Sequence, residues 1–492
     1  MSLRVERAVV DADGWRRAFE QAALAGGRLG ALWGSEREGR FTVQALLVIH
    51  DRLLCPQLAL EGAAYPDVSR VFPAAARMQR AVADLLGLRA GDDPRGWLRH
   101  GAWDADRFPL RKDVPLEAQL PPGDARYAFV PVEGQGVHEI AVGPVHAGII
   151  EPGHFRFTVN GETVVRLEQR LGYAHKGIDA LMSGASLERA ATLAGRVSGD
   201  STVAYALAFA QATEQALSAP VPARAVWLRA LAGELERLAN HLGDIGAVCN
   251  DASFSIMHAS CGFLREHVLR TSHACFGHRL MMDLVVPGGV RRDLTADGAA
   301  LLTALGAFIR NRFPELVDLY ENTASLKDRT VGTGVLSPAL AQQFAAGGYV
   351  GRASGRHFDA RRTPGYAPYG ELRFDVPSVQ AGDVNARVWI RIQEVEQSLA
   401  LVEQILARLP EGATCNPVRA GAGEGVALVE GFRGDIFAWV RLGADGRVER
   451  SHLRDPSWFQ WPLLEAAIEG NIVADFPICN KSFNCSYSGH DL

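Results

Sequence analysis

Four prolines between Pro109 and Pro122 divide this chain into two parts that differ in their patterns. Proline lacks a backbone N–H and restricts the residue before it, so regular structure is disfavoured across this connector. With 492 residues, the chain has room for two or more domains that each bury a core. We therefore expect a boundary near residues 122–138. The predicted division is a first domain at residues 1–125, a linker at 126–142 and a second domain at 143–492.

The first domain has an α+β pattern. Residues 41–50 and 52–60 are strand-like, and residues 74–88 have apolar side chains at helical spacing. The second domain opens with two strand-like segments, 154–159 and 163–167, and the Asn160-Gly161 pair between them suits a type I′ hairpin turn.

Most of the second domain is predicted to be helical, with small β-sheets as a supplement. Its patterns predict helices at 186–217, 222–245, 255–283, 294–323, 338–345 and 386–408, and strands at 426–430, 435–442 and 447–453.

Charge and cysteine content exclude several classes of protein. The net charge of -5 gives no basic surface for nucleic acid. Seven scattered cysteines and a start without an apolar signal core indicate a reducing, cytoplasmic setting without disulfides. No apolar run reaches the roughly 18 residues that span a bilayer. Any link to a membrane is therefore expected to come through partners.

One predicted helix carries a row of ionisable residues. Glu234, Arg237, His241 and Asp244 fall within an arc of about 80° beside a face of leucines. Taken alone, such a row favours a solvated helix face, because charge pairs at this spacing are common on surfaces. The alternative is a buried row of ion pairs that relays protons, in which His241 would titrate near neutral pH.

Other motifs favour structural roles. Cys275 and His278 have a spacing that suits zinc, but no second pair of ligands follows. Cys479 and Cys485 match neither a metal chelate nor a redox pair, so we expect core thiols. The glycine-rich residues 421–425 precede a strand, whereas a nucleotide loop opens a helix.

A series of motifs from residue 138 to the C-terminus resembles the large subunit of formate hydrogenlyase (hydrogenases III and IV) and the homologous D subunit of complex I, the NADH-quinone oxidoreductase. They are Gly143-Pro-Val-His146, Glu151-Pro-Gly-His-Phe-Arg156, Gly172-Tyr-Ala-His-Lys-Gly177, Glu234-Leu-Glu-Arg237, Pro287-Gly-Gly-Val290, Arg352-Ala-Ser-Gly355, Phe374-Asp-Val-Pro377 and Glu430-Gly-Phe-Arg-Gly434.

The first domain resembles the complex I C subunit in residues 65–88 and 109–113. Formate hydrogenlyase large subunits carry the same fusion. One departure is that the family's Glu-Arg-Glu is replaced by Gln79-Arg80-Ala81 here. The resemblance implies a complex I C-subunit-like α/β domain followed by a mainly α domain like the nickel–iron hydrogenase large subunit.

In active hydrogenases of this family, two Cys-x-x-Cys pairs hold nickel and iron, which need soft thiolate ligands. Here the nearest match to the first pair has Ser198 and Ser201, and the second pair aligns with Ser486 and Gly489. An ungapped register puts the first pair near Ala194 and Val197, which also lack sulfur. We therefore expect no nickel–iron centre and name no other cofactor.

The resemblance to complex I also suggests a quinone site, but the residues that contact quinone in the complex I D subunit are not matched here. Pro152 aligns with the quinone histidine, and the tyrosine falls near Gly195. The resemblance leaves His146, Glu151, His154 and Asp200, with Tyr205, as candidates for a polar cavity and a proton relay. Active hydrogenases use a glutamate at the position of Glu151 as a proton gate.

The resemblance implies a hydrogenase-like subunit of a membrane-associated respiratory complex. It would lie peripherally on the cytoplasmic side of the cell membrane, bind an iron–sulfur small subunit and integral membrane subunits, and couple redox or conformational change to ion translocation. The alternative is an electron-inert subunit that bridges the iron–sulfur partner to the membrane arm. An active hydrogenase would need remote cysteines, such as Cys479 and Cys485, to converge on the metal.

Overall fold

A computed structural model describes residues 5–91, 93, 95–115 and 118–492. Residues 116–117 of the predicted connector lie outside the described residues. The first region contains β1 (Val5–Val10), α1 (Ala12–Leu24), β2 (Arg28–Arg37), β3 (Arg40–Ile49), β4 (Arg52–Leu60), β5 (Ala64–Tyr65), α2 (Ala75–Leu86) and β6 (Arg89–Ala90). β1 to β4 form a sheet of order β1-β4-β3-β2, in which only β1 and β4 are parallel.

The first region is the α+β unit that its pattern predicted. The two predicted strands correspond to β3 and β4, and the predicted helix corresponds to α2, which ends because Gly87 adopts a positive φ of 74°. β1, α1 and β2 were not predicted. In α1, Trp15, Phe19 and Ala22 are buried at helical spacing, and the Asp11 side chain caps the helix by accepting from the N–H of Gly14.

A second sheet contains β7 (Val137–Val142), β8 (His154–Asn160) and β9 (Thr163–Arg170) in antiparallel order. β7 occupies the end of the segment predicted as a linker. The predicted hairpin is present, but Asn160 pairs with Thr163, so its loop is Gly161-Glu162. Only Gly161 has a positive φ there, whereas a type I′ turn needs two such residues. The predicted turn type is therefore wrong.

The helices of the second region surround α6, which packs against α7 and α12. They are α3 (Ile178–Met182), α4 (Leu187–Ala194), α5 (Thr202–Leu217), α6 (Ala223–Asp251), α7 (Ser255–Phe276), α8 (Gly298–Asn322), α9 (Ala324–Thr330), α10 (Pro338–Gln343), α11 (Gly348–Ala353), α12 (Val384–Arg408), α13 (Ser457–Ile468), α14 (Phe476–Phe483) and α15 (Tyr487–Asp491). Two short strands, β10 (Val285–Val286) and β11 (Gly289–Val290), form a hairpin.

Two predicted helices differ from those observed. The segment 186–217 is two helices, α4 and α5, because the glycine- and serine-rich residues 195–201 leave the helix between them. The segment 255–283 stops at Phe276, where Gly277 caps α7 with a φ of 79°.

The last sheet joins the two regions. Its strands, β12 (Gly423–Gly431), β13 (Gly434–Leu442) and β14 (Val448–Arg454), are the three predicted ones. Trp33 of β2 packs against Phe437 and Trp439 of β13, with ring centroids 5.2 and 5.5 Å apart. The glycine-rich segment 421–425 leads into β12, where a Cβ at Gly423 or Gly425 would collide with carbonyls of α5. These glycines therefore serve close packing, and the interpretation against a nucleotide loop is consistent with this geometry.

A buried ion pair also crosses between the regions. Asp435 of β13 binds Arg28 of β2 (Nη2–Oδ2 3.1 Å) and Arg454 of β14 (Nη2–Oδ2 2.7 Å), and its side chain is fully buried. Burial would raise the pKa of Asp435, but the two guanidinium groups outweigh it and lower the pKa.

In the part of the chain that the structure describes, none of the helices combines the length and the apolar character needed to cross a bilayer.

Replacing Asp435 by Asn should lower the free energy of unfolding by about 3–5 kcal/mol at pH 7, because Arg28 and Arg454 would stay buried without their counter-charge. The lowered pKa stabilises the wild type above the unfolded-state value of about 3.9, and this contribution is lost as the pH falls below that value. The measurement is urea unfolding at several pH values. Asp445→Asn, on an exposed turn, is the control and should have little effect. Equal stability of Asp435→Asn and wild type at pH 7 would contradict the account.

Candidate functional site

Ser198, Ser201, Ser486 and Gly489, the four positions that the sequence resemblance assigns to metal ligands, lie close together in the structure. Ser198 precedes a short 3-10 turn, and Ser486 is the N-cap of α15. Their hydroxyl oxygens lie 3.0 Å apart although they are 288 residues apart in the chain. Gly489 donates its N–H to Ser486 Oγ at 2.9 Å, and Ser198 and Ser201 both bind Asp200. The segment that contains Ser198 and the segment that contains Ser486 are therefore neighbours in the fold.

An ion pair between an arginine and an aspartate connects these residues. Arg433, in the turn between β12 and β13, makes two bonds to Asp200 (Nη2–Oδ2 2.5 Å, Nη1–Oδ1 2.9 Å) and approaches Ser201 Oγ at 3.4 Å. Burial would raise the pKa of Asp200, but Arg433 and the serine hydroxyls lower it, so Asp200 is ionised at neutral pH. Arg433 Nε also donates to the carbonyl of Asn484. We call Ser198, Asp200, Ser201, Arg433 and Ser486 the serine cluster.

Glu151 and His146 lie on the other side of α15. Glu151 Oε2 accepts the N–H of Ser488 at 2.9 Å, and His146 Nε2 is 3.4 Å from the hydroxyl of Tyr487. The structure therefore brings three of the five predicted cavity residues, Glu151, His146 and Asp200, around the C-terminal segment 484–489. Tyr205, the fifth, donates its hydroxyl to Asp455 at 2.6 Å.

His154, the fourth, points elsewhere. Its Nδ1 is 3.5 Å from the carbonyl of Gly143, and its ring packs against Phe129. Burial lowers the pKa of His154, which keeps the ring neutral at neutral pH. Within the described residues, no hydrogen bond joins His154 to the serine cluster.

The row on α6 is buried and forms ion pairs, so the solvated-face interpretation is wrong, whereas the proton relay stays a prediction. Glu234 and His241 are 0% exposed, Arg237 is 2% exposed and Asp244 is 9% exposed. The reason is that α12 and the segment 352–361 cover this face with complementary side chains. A pattern on one helix does not contain that information.

Each member of the row has a partner from another element. Glu234 accepts from Arg361 (2.9 Å), the Tyr369 hydroxyl (2.7 Å) and the Ser398 hydroxyl (2.8 Å). Arg237 donates to the carbonyls of residues 430 and 431.

His241 binds Glu394 of α12 through Nε2 at 2.7 Å. Burial lowers the pKa of His241 despite the nearby carboxylate, so the ring is neutral and donates to Glu394. Burial would raise the pKa of Glu394, but Arg352, whose Nε lies 2.8 Å from Oε1, outweighs it and lowers that pKa. Glu394 is therefore a fixed negative charge.

Asp244 connects the row to the C-terminal segment. It lies 3.2 Å from Arg391 Nε and accepts from Asn484 at 2.9 Å, and Asn484 in turn is the residue whose carbonyl Arg433 holds. A continuous set of polar contacts therefore runs from Asp244 to the serine cluster.

Sequence reasoning missed the partners on α12. Arg387, Arg391, Glu394 and Ser398 are buried at intervals of four, three and four residues. That spacing is the same signal that identified the row on α6, and two such rows on apolar helices indicate a paired, buried interface.

Two family models match the chain. Residues 9–120 match the respiratory-chain NADH dehydrogenase 30 Kd subunit, and residues 253–420 match the 49 Kd subunit. Formate hydrogenlyase subunit 5 of Escherichia coli is 32% identical over 487 residues, which covers 95% of this chain and 85% of the relative. The chain belongs to the hydrogenase and NADH dehydrogenase large-subunit family. The order of the two matches is that of fused complex I C and D subunits.

Other members of the family have different named activities. A D subunit of the NADH-quinone oxidoreductase of Roseiflexus is 32% identical, covering 68% of this chain and 94% of the relative. Membrane-bound hydrogenase subunit alpha of Pyrococcus furiosus is 30% identical, covering 70% of this chain and 85% of the relative. Among solved structures, a chain of the membrane-bound sulfane sulfur reductase, an archaeal respiratory membrane complex, has a TM-score of 0.69 at 25% identity, covering 74% of this chain and all of that one.

The residues at the four positions do not fit the nickel–iron centre of the family's hydrogenases. Hydroxyl oxygens are poor ligands for soft metals, and glycine offers no side chain. A Cβ at Gly489 would lie against Asp455 Oδ2 and 2.8 Å from Ser486 Oγ, so even a cysteine there would have no room. Asp455 is fixed by the Tyr205 hydroxyl at 2.6 Å.

Other side chains of the described residues do not form an alternative metal site. Ala194 and Val197, the ligand positions of the alternative register, are buried in the core. Among the described residues, no group of three or more histidine, cysteine, aspartate or glutamate side chains is arranged to hold a metal ion.

The cysteines lie in apolar surroundings. Cys479 and Cys485 belong to one buried apolar cluster, and burial raises the pKa of Cys479 to about 11 and that of Cys485 further. Cys275 is buried with its pKa raised to about 11, while His278 is exposed. The interpretation of these cysteines as packed thiols is therefore confirmed.

Restoring a cysteine at Gly489 should be more harmful than restoring one at Ser486. We expect Gly489→Cys to lower the free energy of unfolding by about 1–3 kcal/mol, because its Cβ must displace Asp455. Ser486→Cys, the matched control, loses part of one N-cap and should cost at most about 1 kcal/mol. Thermal unfolding compares the two variants. A Gly489→Cys protein as stable as wild type would show that the position has space for a ligand.

Replacing Glu394 by Gln should destabilise the buried row by about 3–5 kcal/mol, since Arg352 would lose a close counter-charge in the interior. The control on the same helix is Glu403→Gln, whose partner Arg310 is at the surface. Urea unfolding with amide hydrogen exchange of α6 measures both. If the two variants lose the same free energy of unfolding, the row contributes no more to stability than a surface ion pair does.

Proposed function

We propose that this chain is the large subunit of a membrane-associated respiratory oxidoreductase complex that operates without a nickel–iron centre. The observation that supports this proposal is the serine cluster. The positions that we assign to the ligands of the family's hydrogenases provide three hydroxyls and one glycine, and these form hydrogen bonds with each other, with Asp200 and with Arg433.

We infer the partners of this subunit from the names of its relatives. Several of them are named as parts of membrane-bound or respiratory membrane complexes, so we propose that this subunit reaches the membrane through integral membrane subunits and binds an iron–sulfur small subunit. We place it peripherally on the cytoplasmic face. The loop at 143–153 offers a contact surface, because Val145 and Ile149 are 80% and 98% exposed beside the residues that bind α15.

In this proposal the C-terminal segment 484–489 transmits changes at the loop. Glu151 holds the Ser488 N–H from one side, whereas Arg433 and Asp244 hold Asn484 from the other. A change of charge or contact at Glu151 therefore acts on a segment that is bonded to the row on α6. This route would couple a redox or conformational event at the loop to ion movement in the membrane partners.

One observation favours a second candidate, an electron-inert subunit that bridges the iron–sulfur partner to the membrane arm. The hydroxyls of the serine cluster bind one another or Asp200, and Asp200 is neutralised by Arg433. An arrangement of this kind stabilises the junction of two distant segments without any reacting group.

Purification of the native complex tests the main proposal. We expect nickel far below one atom per chain, together with copurified iron–sulfur and integral membrane subunits. A nickel content near one atom per chain would refute the absence of the centre. Isolation of the chain without membrane subunits, under detergents that preserve related complexes, would refute the proposed assembly.

Turnover of that complex separates the two candidates. With Glu151→Gln, a coupling subunit should lose most quinone-dependent or hydrogen-dependent activity, whereas an inert bridge should keep it. Glu139→Gln is the matched control, because Glu139 is also a surface glutamate of this region and its side chain pairs with Arg156. Unchanged activity in Glu151→Gln would favour the inert bridge.

A further inference from the structure

A pocket of about 190 Å³ lies where the residues on either side of the proline-rich connector meet the end of β9. Its lining contains more positive than negative side chains. The charged residues of the lining are Arg95, Arg99, Arg126, Arg170 and Asp124. An excess of arginines around a concave surface favours the binding of an anion.

Arg170, the last residue of β9, is deeply buried without an acidic partner. It is 5% exposed and forms no ion pair with any of the described residues. Its Nη1 donates to the carbonyls of Gly96 (2.7 Å) and Trp97 (2.6 Å), and its guanidinium lies over the Tyr127 ring, 4.3 Å from the centroid. Arginines are almost never buried to this extent unless they are paired with an acid, so Arg170 calls for an explanation.

The neighbouring groups do not compensate the charge of Arg170. Burial lowers its pKa to about 10, and Arg80 acts in the same direction. Tyr127 and Asp84 act in the opposite direction but do not outweigh burial. The carboxylate of Asp84 is already used, because its Oδ2 accepts the N–H groups of residues 97–99. The guanidinium is therefore charged at neutral pH without a full counter-charge.

Two nitrogens of this guanidinium are free to bind a ligand. Nε and Nη2 of Arg170 have no hydrogen-bond partner in the part of the chain that the structure describes, and neither is among its fully buried polar atoms. Because Arg170 lines the pocket, these N–H groups can donate to a molecule inside it.

Arg99 provides a second unpaired guanidinium next to the first. A Cβ built on Gly96 would lie 3.6 Å from Arg99 Nε, and the carbonyl of the same glycine accepts from Arg170. The side chain of Arg99 is half-buried and forms neither a hydrogen bond nor a salt bridge among the residues described. Both guanidinium groups therefore lie within reach of one small anion.

The other charges of the lining already have partners. Arg126 pairs with Asp124 at 2.7 Å, and its hydrogen bonds lower the pKa of Asp124 to about 2. Arg95 pairs with Asp93 at 2.8 Å and with Glu168 at 3.3 Å. This leaves the remaining two guanidinium groups of the lining without a salt bridge.

We infer that this pocket binds a phosphate group and that Arg99 and Arg170 hold it. A phosphate monoester carries a charge of about -1.5 to -2 at pH 7, which matches two unpaired arginines, and guanidinium N–H groups suit phosphate oxygens. The pocket is several times larger than the ~30 Å³ that one water molecule takes up in the liquid, so a phosphate group and ordered water fit. His100, also in the lining, is neutral because burial lowers its pKa.

The site is independent of the proposed function. None of the residues that line this pocket belongs to the serine cluster or to the row on α6. Loss of phosphate binding would therefore leave the account of the serine cluster unchanged.

Calorimetric titration of the full chain with inorganic phosphate, and separately with glycerol 3-phosphate, tests the inference at an ionic strength held constant with chloride. We expect saturable binding at one site with a Kd of about 1 mM or lower. Tighter binding of the ester would identify an organic phosphate as the ligand, whereas equal or tighter binding of inorganic phosphate would identify the free anion. Absence of saturable binding with both compounds would overturn the inference.

Arg99→Gln tests the site with little risk to the fold, because this side chain makes no hydrogen bond in the described structure. It should raise the Kd for phosphate about tenfold, the size expected for one hydrogen bond between charged groups, and leave urea unfolding without phosphate unchanged. Arg107→Gln is the matched control, because Arg107 is an exposed arginine of the same region outside the lining. Equal Kd values for Arg99→Gln and wild type would contradict the assignment.

Asp124→Asn changes the affinity in the opposite direction. It removes the negative charge of the lining, so the Kd for phosphate should fall about three- to tenfold because a repulsion is lost. Asp106→Asn, at an exposed position outside the lining, should bind like wild type. Unchanged or weaker phosphate binding by Asp124→Asn would show that the anion is not held in this pocket.

Discussion

The ion pair between Arg433 and Asp200 is the contact on which the rest of the site depends. Asp200 binds the hydroxyls of Ser198 and Ser201, and Arg433 holds the carbonyl of Asn484, so this one pair joins the first ligand segment to the last. The Ser198–Ser486 hydroxyl contact, between residues 288 apart in the chain, lies beside this pair. At the positions that the sequence resemblance assigns to metal ligands, charge and hydrogen bonds join the two segments.

The buried row on α6 extends this arrangement into the helical core. Charged residues of the row lie next to residues of opposite charge on α12 and in the segment 352–361. These pairs offset the cost of removing the charges from water. Asp244 contacts Asn484, whose carbonyl Arg433 binds, so polar contacts link the row to the serine cluster.

Much of the fold could be predicted from the sequence because its signals are local. α6 begins directly after Pro222, and its leucines repeat at helical spacing; the three strands after residue 420 also appear as predicted. The family resemblance singled out Ser198 and Ser486, in one of two registers for the first pair, and their hydroxyls are in contact in the structure. Burial of the row could not be predicted from α6 alone, because its partner Glu394 lies 153 residues away on α12, whose similar row was missed. β1, α1 and β2 were missed although Asp11 caps α1 and the Gly26-Gly27 pair follows it. The closed space at Gly489 depends on Asp455, which no spacing in the chain relates to it.

The chain thus retains the architecture of a hydrogenase large subunit while its central position is held by hydroxyl groups and an ion pair. The most direct measurement is an experimental structure of the native protein with diffraction data collected on both sides of the nickel absorption edge. The account predicts hydroxyl oxygens of Ser198 and Ser486 in direct hydrogen-bond contact, near the 3.0 Å seen here, and no anomalous peak between them. A nickel peak between these two residues, with the hydroxyls drawn apart, would contradict it.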